Sequence, residues 1–226
     1  DGFEGFRRIH QHGFQGSIQG ASPIDLIVTD PDGITLSHTD VIPSDEEFIR
    51  EVPGEMYYSE IERGHDGNPI DRVYLASVKD GSYQIEVIPD PTAAPSDTYS
   101  LTFTAGEETH TLAEDEPLSA IPPLGYQVEV AGEEVTLVPP SAADLLAALR
   151  TAFTDAAIER RGLQKRIDVK LRLLERFVER ERTVVARVQA RQLTRILARR
   201  ADRGIDAASA QEMTVLLEEL LLVLKQ

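Results

Sequence analysis

Cysteine and tryptophan are absent from this chain of 226 residues. Without cysteine there is neither a disulfide scaffold nor a thiolate zinc site. The absence fits a reducing cytosol and a secreted protein that avoids disulfides equally well. No apolar run approaches the roughly 18 residues that a membrane-spanning helix needs. Positive charge is scarce: 23 Lys and Arg stand against 39 Asp and Glu, a net charge of -16. That balance argues against generic binding to nucleic acid or an anionic membrane. The chain opens on Asp1 with no basic n-region and no apolar h-region, so the expectation is either a signal peptide already removed or a fragment of a longer protein. What is present is ordinary for a folded protein, 41% hydrophobic and visibly patterned, which excludes disorder.

The scarcities are unevenly placed. Up to Pro140 there are 6 basic and 27 acidic residues, net -21; beyond it there are 17 and 12, net +5. All Pro, Tyr and His lie in the first part. A break at Pro139-Pro140 therefore predicts two domains.

The first part reads as strands. Ile24 to Thr29 is a β-branched run, and Asp30-Pro31-Asp32-Gly33 after it is turn chemistry. Tyr83, Ile85 and Val87 alternate with polar residues, as do Tyr99, Leu101 and Phe103, which points each trio to one face. Tyr126 to Val130 and Val135 to Val138 flank Ala131-Gly132-Glu133-Glu134 as a hairpin. Regular strand spacing with Pro and Gly turns predicts an antiparallel β-sandwich over residues 21–138. Residues 1–20 are expected to be an extra strand or a linker.

The second part, residues 141–226, reads as a four-helix all-α bundle, making the whole a multidomain β + α protein. Ser141 and Asp144 form a capping-box-like start, and Gly162 is the expected stop of the first helix. Leu163, Ile167, Leu171, Leu174 and Val178 make one apolar stripe. Thr183 is the expected cap of a third helix with Val184, Val188, Leu193, Ile196 and Leu197 inward. Asp206 caps a last helix that is apolar over more than half its circumference, so it should lie centrally or be covered by the β domain. Basic residues fall on the outer faces of the second and third helices. Arg172, Arg176, Arg187, Arg191 and Arg195 are the candidates there for contact with the acidic domain or a partner, by charge attraction. Interleaved Glu175, Glu179 and Glu181 fit a solvated face better than a nucleic-acid interface.

Chemistry is sparse. Gly16-Ser17-Ile18-Gln19-Gly20 lacks the Gly two residues before Ser that a nucleophile elbow needs. Carboxylate pairs abound, but acid is everywhere, and a glycosidase cleft also needs aromatic platforms. His10 and His12 share one side of an extended segment, a weak chelate pattern. Asp30 and Asp32 resemble the opening of a calcium loop, with Asp40 a further oxygen donor if the fold brings it near. The loop lacks the third acid and the closing bidentate Glu, so a structural turn is the stronger reading and calcium the weaker. No other cofactor is suggested, and no phosphate loop is present.

The succession Ser22-Pro23-Ile24-Asp25-Leu26-Ile27-Val28-Thr29-Asp30-Pro31-Asp32-Gly33, then Val52-Pro53-Gly54-Glu55-Met56-Tyr57-Tyr58, Asp80-Gly81-Ser82-Tyr83-Gln84-Ile85-Glu86-Val87 and Asp97-Thr98-Tyr99-Ser100-Leu101, resembles a β-sandwich module from the C-terminal parts of large secreted bacterial proteins. It covers about residues 17–105. Residues 143–224, with Lys170-Leu171 and Gly204-Ile205-Asp206, are similar to the small FIMAH-type helical module of extracellular bacterial proteins, though unusually Arg-rich in the middle. The resemblance implies a secreted or cell-surface setting, an upstream catalytic domain in the same protein, and no catalytic residues in this piece. It favours a fragment of a longer protein over a removed signal peptide.

The expected function is thus a non-catalytic accessory region that binds a protein partner or a surface polymer. Its binding loops would be residues 43–56 and 62–71, with Asp45, Glu46, Glu47, Asp66, Asn68 and Asp71 as the candidate contacts. One alternative is a self-assembling adhesin subunit that adds residues 3–19 to a neighbour's sheet edge. Another is an enzyme with an unrecognised site.

Overall fold

The computed structural model describes residues 15–21, 23–37, 50–52, 56–63, 69–132, 134–201 and 204–225. The chain divides into two compact units, Asp1–Pro139 and Pro140–Gln226.

The first unit contains two antiparallel sheets. One has the order β4 (Arg50–Val52), β5 (Met56–Arg63), β6 (Pro69–Leu75), β1 (Gly16–Ala21), β8 (Thr98–Ala105), β9 (Glu108–Pro117). The other runs β11 (Glu134–Val138), β10 (Tyr126–Ala131), β7 (Gly81–Pro89), β2 (Ile24–Thr29), β3 (Thr35–Ser37). The alternation predicted for β7 and β8 is realised: Tyr83, Ile85, Val87, Tyr99, Leu101 and Phe103 are all buried. Buried residues of both sheets form one apolar cluster. Tyr83 of β7 and Phe103 of β8 meet edge to face across it, with ring centroids 5.2 Å apart. Each such aromatic contributes about 1.5–3 kcal/mol through burial.

Of the two alternatives expected for residues 1–20, an extra strand or a linker, Gly16–Ala21 is a strand; it lies in the middle of its sheet, paired with β6 on one side and β8 on the other, so the sheets begin before residue 21. Glycine is required there by proximity. A Cβ on Gly16 would lie 2.4 Å from both the Thr104 carbonyl oxygen and Val78 Cγ2.

The second unit holds four helices: α1 (Ala142–Asp155), α2 (Arg161–Glu179), α3 (Thr183–Arg200) and α4 (Ala207–Val223). The Ser141 hydroxyl accepts from the Asp144 N–H at 3.2 Å, and the Asp144 carboxylate accepts from the Ser141 N–H at 3.0 Å, completing the capping box. The Asp206 carboxylate accepts from the Ser209 N–H at 2.8 Å and starts α4. Helix α4 packs against both α1 and α3, which accounts for its broad apolar surface. Among the described residues no helix is long and apolar enough to cross a membrane.

Three expectations for this unit need correction. Thr183 does not cap α3: it is the first residue of the helix, Arg182 holds the N-cap position, and no side chain there makes a capping hydrogen bond. Gly162 does not stop α1; α1 ends at Asp155, and Gly162 sits in the first turn of α2 with open space around it. The packing stripe of α3 is Ala186, Ala190, Leu193 and Leu197, while Val184 and Val188 are 63% and 46% exposed. The alanines let α3 approach its neighbours closely, and that rotates the larger valines outward.

Candidate functional site

The turn after β2 places its acids around a positive charge supplied by the chain itself. Gly33 adopts φ +80°, and its N–H donates to the Asp30 carbonyl at 2.9 Å, closing the turn. Asp30 Oδ1 then accepts the N–H groups of Asp32 and Ile34, at 3.0 and 2.9 Å. Its other oxygen is 2.7 Å from Lys79 Nζ, which also lies 2.8 Å from Asp32 Oδ2. The Lys79 N–H donates to the Tyr83 hydroxyl at 2.9 Å. Hydrogen bonds to Asp30 and then Asp32 hold the Lys79 ammonium well above the usual lysine range, which favours its charged form. A divalent ion between Asp30 and Asp32 would have to displace Lys79. Asp40 lies outside the described residues, and among those described no group of three or more metal-ligating side chains occurs.

The other candidate binding residues are spread apart. Asp71 is buried in β6 opposite Gly20, within the sheet and not on an accessible loop. Asp45, Glu46, Glu47, Asp66 and Asn68 lie outside the described residues, as do His10 and His12. Ser17 pairs with Tyr74 and Thr104 in the sheet.

A second polar cluster joins β8 to β10. The Tyr99 and Tyr126 hydroxyls hydrogen-bond to each other in the buried interior. Burial first, and then the Tyr126 hydroxyl, pushes the Tyr99 phenol far above its normal range.

In the helical unit, Arg150 of α1 grips two acids of α2. Its Nε and Nη2 donate to the two Glu175 carboxylate oxygens at 2.9 and 2.8 Å, and its Nη1 donates to Asp168 at 2.8 Å. Arg172 pairs with the same Asp168 at 2.8 Å. Lys170 donates to Gln189 and Gln192 of α3 at 3.0 and 2.6 Å. One of the acids expected to dilute the positive surface, Glu175, is thus drawn toward α1 together with Asp168.

Helix α3 has no such compensation. It carries arginine at 187, 191, 195, 199 and 200 and no acidic residue. The first four recur at i, i+4, interleaved with Val184 and Val188, on the face opposite the buried Ala186-Ala190-Leu193-Leu197 stripe. Arg187 is half-buried; Arg191, Arg195 and Arg199 are exposed. None of them has an ion-pair partner among the described residues. Arg176 on α2 is also exposed and without such a partner, whereas Arg172 is engaged.

Strand β9 carries the opposite charge. It lies at the edge of the six-stranded sheet, with Glu108, Glu114, Asp115 and Glu116 exposed along it and Glu107 exposed in the turn before it. No Lys or Arg occurs between Lys79 and Arg150. The strand was illegible by periodicity because Ala113 is its only buried residue. Its charge was legible, as a cluster of acids after Gly106. Lys79 likewise had a signal, being the only lysine before Pro140, but its partners lie 47 and 49 residues away. No family model, curated protein or solved structure matches the chain.

Proposed function

We propose that the chain is a non-catalytic interaction region of a secreted or cell-surface bacterial protein, built as an antiparallel β-sandwich followed by a four-helix bundle. The observation that carries this reading is the outer face of α3. Four uncompensated arginines and two exposed valines occupy the side opposite the packing stripe, where they do nothing for their own bundle. Exposed valine has low helix propensity and gains no burial, so its place among arginines suits a surface that becomes covered. Arginine also suits planar, multivalent recognition of carboxylates. The other charged clusters support the same view, because each ties two elements of one unit together: Lys79 to the Asp30 turn, Arg150 to α2, Lys170 to α3. The resemblance of the sequence to secreted sandwich and FIMAH-type modules supports a secreted or cell-surface compartment.

The test is retention of the full chain on immobilised polyglutamate at about 0.1 M salt, where charges more than about 10 Å apart are screened. Wild type is expected to bind despite its net charge of -16. The variant with Arg187, Arg191, Arg195 and Arg199 all changed to Gln, shown to keep its helical signal, is expected to flow through. Equal behaviour of the two proteins refutes the assignment of α3.

A further inference from the structure

We infer that the α3 face binds the acidic β9 edge of a second copy of this chain. The inference rests on the reading of α3 as an interaction surface and names its partner. Three observations point to a second copy. The first is charge: the helix has arginines and no acid, while the edge strand has four exposed acids and the turn before it a fifth, in a stretch free of Lys and Arg. The second is length. Arg187 to Arg199 spans about 18 Å at 1.5 Å per residue. Glu108 to Glu114 spans about 20 Å at 3.3 Å per residue. The acids stand at the two ends of that stretch, Glu107 and Glu108 at one and Glu114, Asp115 and Glu116 at the other, with none at 109–113, so they match the two ends of the arginine row.

The third observation is the state of the strand edge itself. Residues of β9 pair with β8 on one side only, and β9 ends the sheet order. Register shifts opposite Leu101 and a φ of +50° at Asp115 break the regularity of the edge. An edge so bent and charged is a poor template for another strand. The same acids make it a good seat for a cationic helix. His110 lies 3.8 Å from Glu108, and the Asp115 N–H donates to Ser100 Oγ at 3.1 Å; no Lys or Arg engages these acids among the described residues. Val184 and Val188, at one end of the ladder, would be covered in the contact and add apolar area to the ion pairs.

The two surfaces differ, so the contact is heterologous. Each bound copy still presents one free helix and one free edge, and association continues into a ring or an open chain instead of stopping at a symmetric dimer. Whole copies, each carrying -16, repel one another over distance. The contact is therefore strongest at intermediate salt. At about 0.1 M the screening length is about 10 Å and local pairs survive; at about 1 M it is about 3 Å and they do not.

The experiment is sedimentation velocity on the full chain from micromolar to millimolar concentration at both salt levels. Wild type is expected to grow past dimer with concentration at the lower salt and to return to monomer at the higher. Two charge-reversed proteins follow: one with Arg187, Arg191, Arg195 and Arg199 changed to Glu, the other with Glu107, Glu108, Glu114 and Glu116 changed to Lys. Each alone is expected to be monomeric, and an equimolar mixture is expected to associate again, because each reversed surface then finds its complement. A wild type that stays monomeric at every concentration and both salts overturns the inference, whether or not the variants fold. If that monomer still binds polyglutamate through α3, the interaction surface stands and only its partner is wrong. Association that survives in either charge-reversed protein alone also overturns it.

Discussion

Replacing Lys79 by methionine keeps the length of the side chain and removes its charge, which isolates what the ammonium does between Asp30 and Asp32. The Asp32 half of the pair is 65% exposed on the acid side, and such pairs contribute about 0–1 kcal/mol. The Asp30 half is different, because the Asp30 side chain is 2% exposed. Its Oδ1 keeps the two turn N–H bonds, but Oδ2 loses its only described donor. Stripping a buried charge of its partner costs about 3–5 kcal/mol, and the retained N–H bonds bring the expected loss to about 2–3 kcal/mol. At about 2–4 °C per kcal/mol for a unit of this size, the midpoint should fall by about 4–12 °C. All six tyrosines lie before residue 140, so the near-UV circular dichroism of tyrosine follows the strand-bearing unit specifically. Changing Asp30 to Asn in the same protein removes the stranded charge and should restore about half of the loss. The lysine's raised pKa means that its stabilisation is complete below the unfolded value, about 10.4, and fades only as pH climbs through the folded value above it. The gap between wild type and Lys79→Met should therefore stay level from about pH 6 to 9. A midpoint within about 1 °C of wild type, or a double variant no better than Lys79→Met, refutes the argument.

Other measurements reach different parts of the fold. Tyr99→Phe and Tyr126→Phe should each cost about 1–2 kcal/mol by leaving a buried hydroxyl unpaired, and the double variant should cost less than their sum; additive losses in chemical denaturation would count against the pair. Gly125→Ala should cost about 3 kcal/mol or more, since φ is +66° and a Cβ would lie 2.3 Å from the Ile85 carbonyl oxygen; a near-wild-type tyrosine melt would contradict this geometry. Burial raises the pKa of Asp168, but hydrogen bonds from Arg150 and Arg172 outweigh it and leave the carboxyl below its usual range. Its contribution is thus present above about pH 3.9 and is lost as pH falls through the lower folded value. Asp168→Asn should lower the 222 nm melting midpoint at pH 7, and the gap should narrow in acid; a gap constant down to about pH 2 would sink the assignment.

Legibility differed sharply from element to element. Strands β7, β8 and β10 each bury alternate large residues, so a period of two was visible without any knowledge of neighbours. Strand β1 reads Gly-Ser-Ile-Gln-Gly-Ala, with one large apolar residue. Its glycines look like linker until the close approach of Val78 and Thr104 explains Gly16. Of the three predicted caps, Ser141 and Asp206 formed, because a cap is a contact between residues three apart, whereas Thr183 is the first residue of α3 and caps nothing. The α3 face was misjudged in its valines and right in its arginines. Val184 and Val188 outrank Ala186 and Ala190 in hydrophobicity, but closeness of packing chose the smaller pair. The positive surface depended only on where arginines recur, so Arg187, Arg191 and Arg195 were visible in advance.

What one stretch of chain settles by itself is composition, period and punctuation. These sufficed for the acidic and basic halves, the proline boundary, most strands and all four helices, since each depends on residues within a few positions of one another. What tertiary structure alone decided is which distant segments meet: Lys79 seated between Asp30 and Asp32, β1 enclosed by β6 and β8, Arg150 closing on Asp168 and Glu175. A charge or a glycine carries no mark of its partner along the chain; the partner is chosen when packed surfaces bring the two within a few ångströms, where burial makes an unmatched group costly.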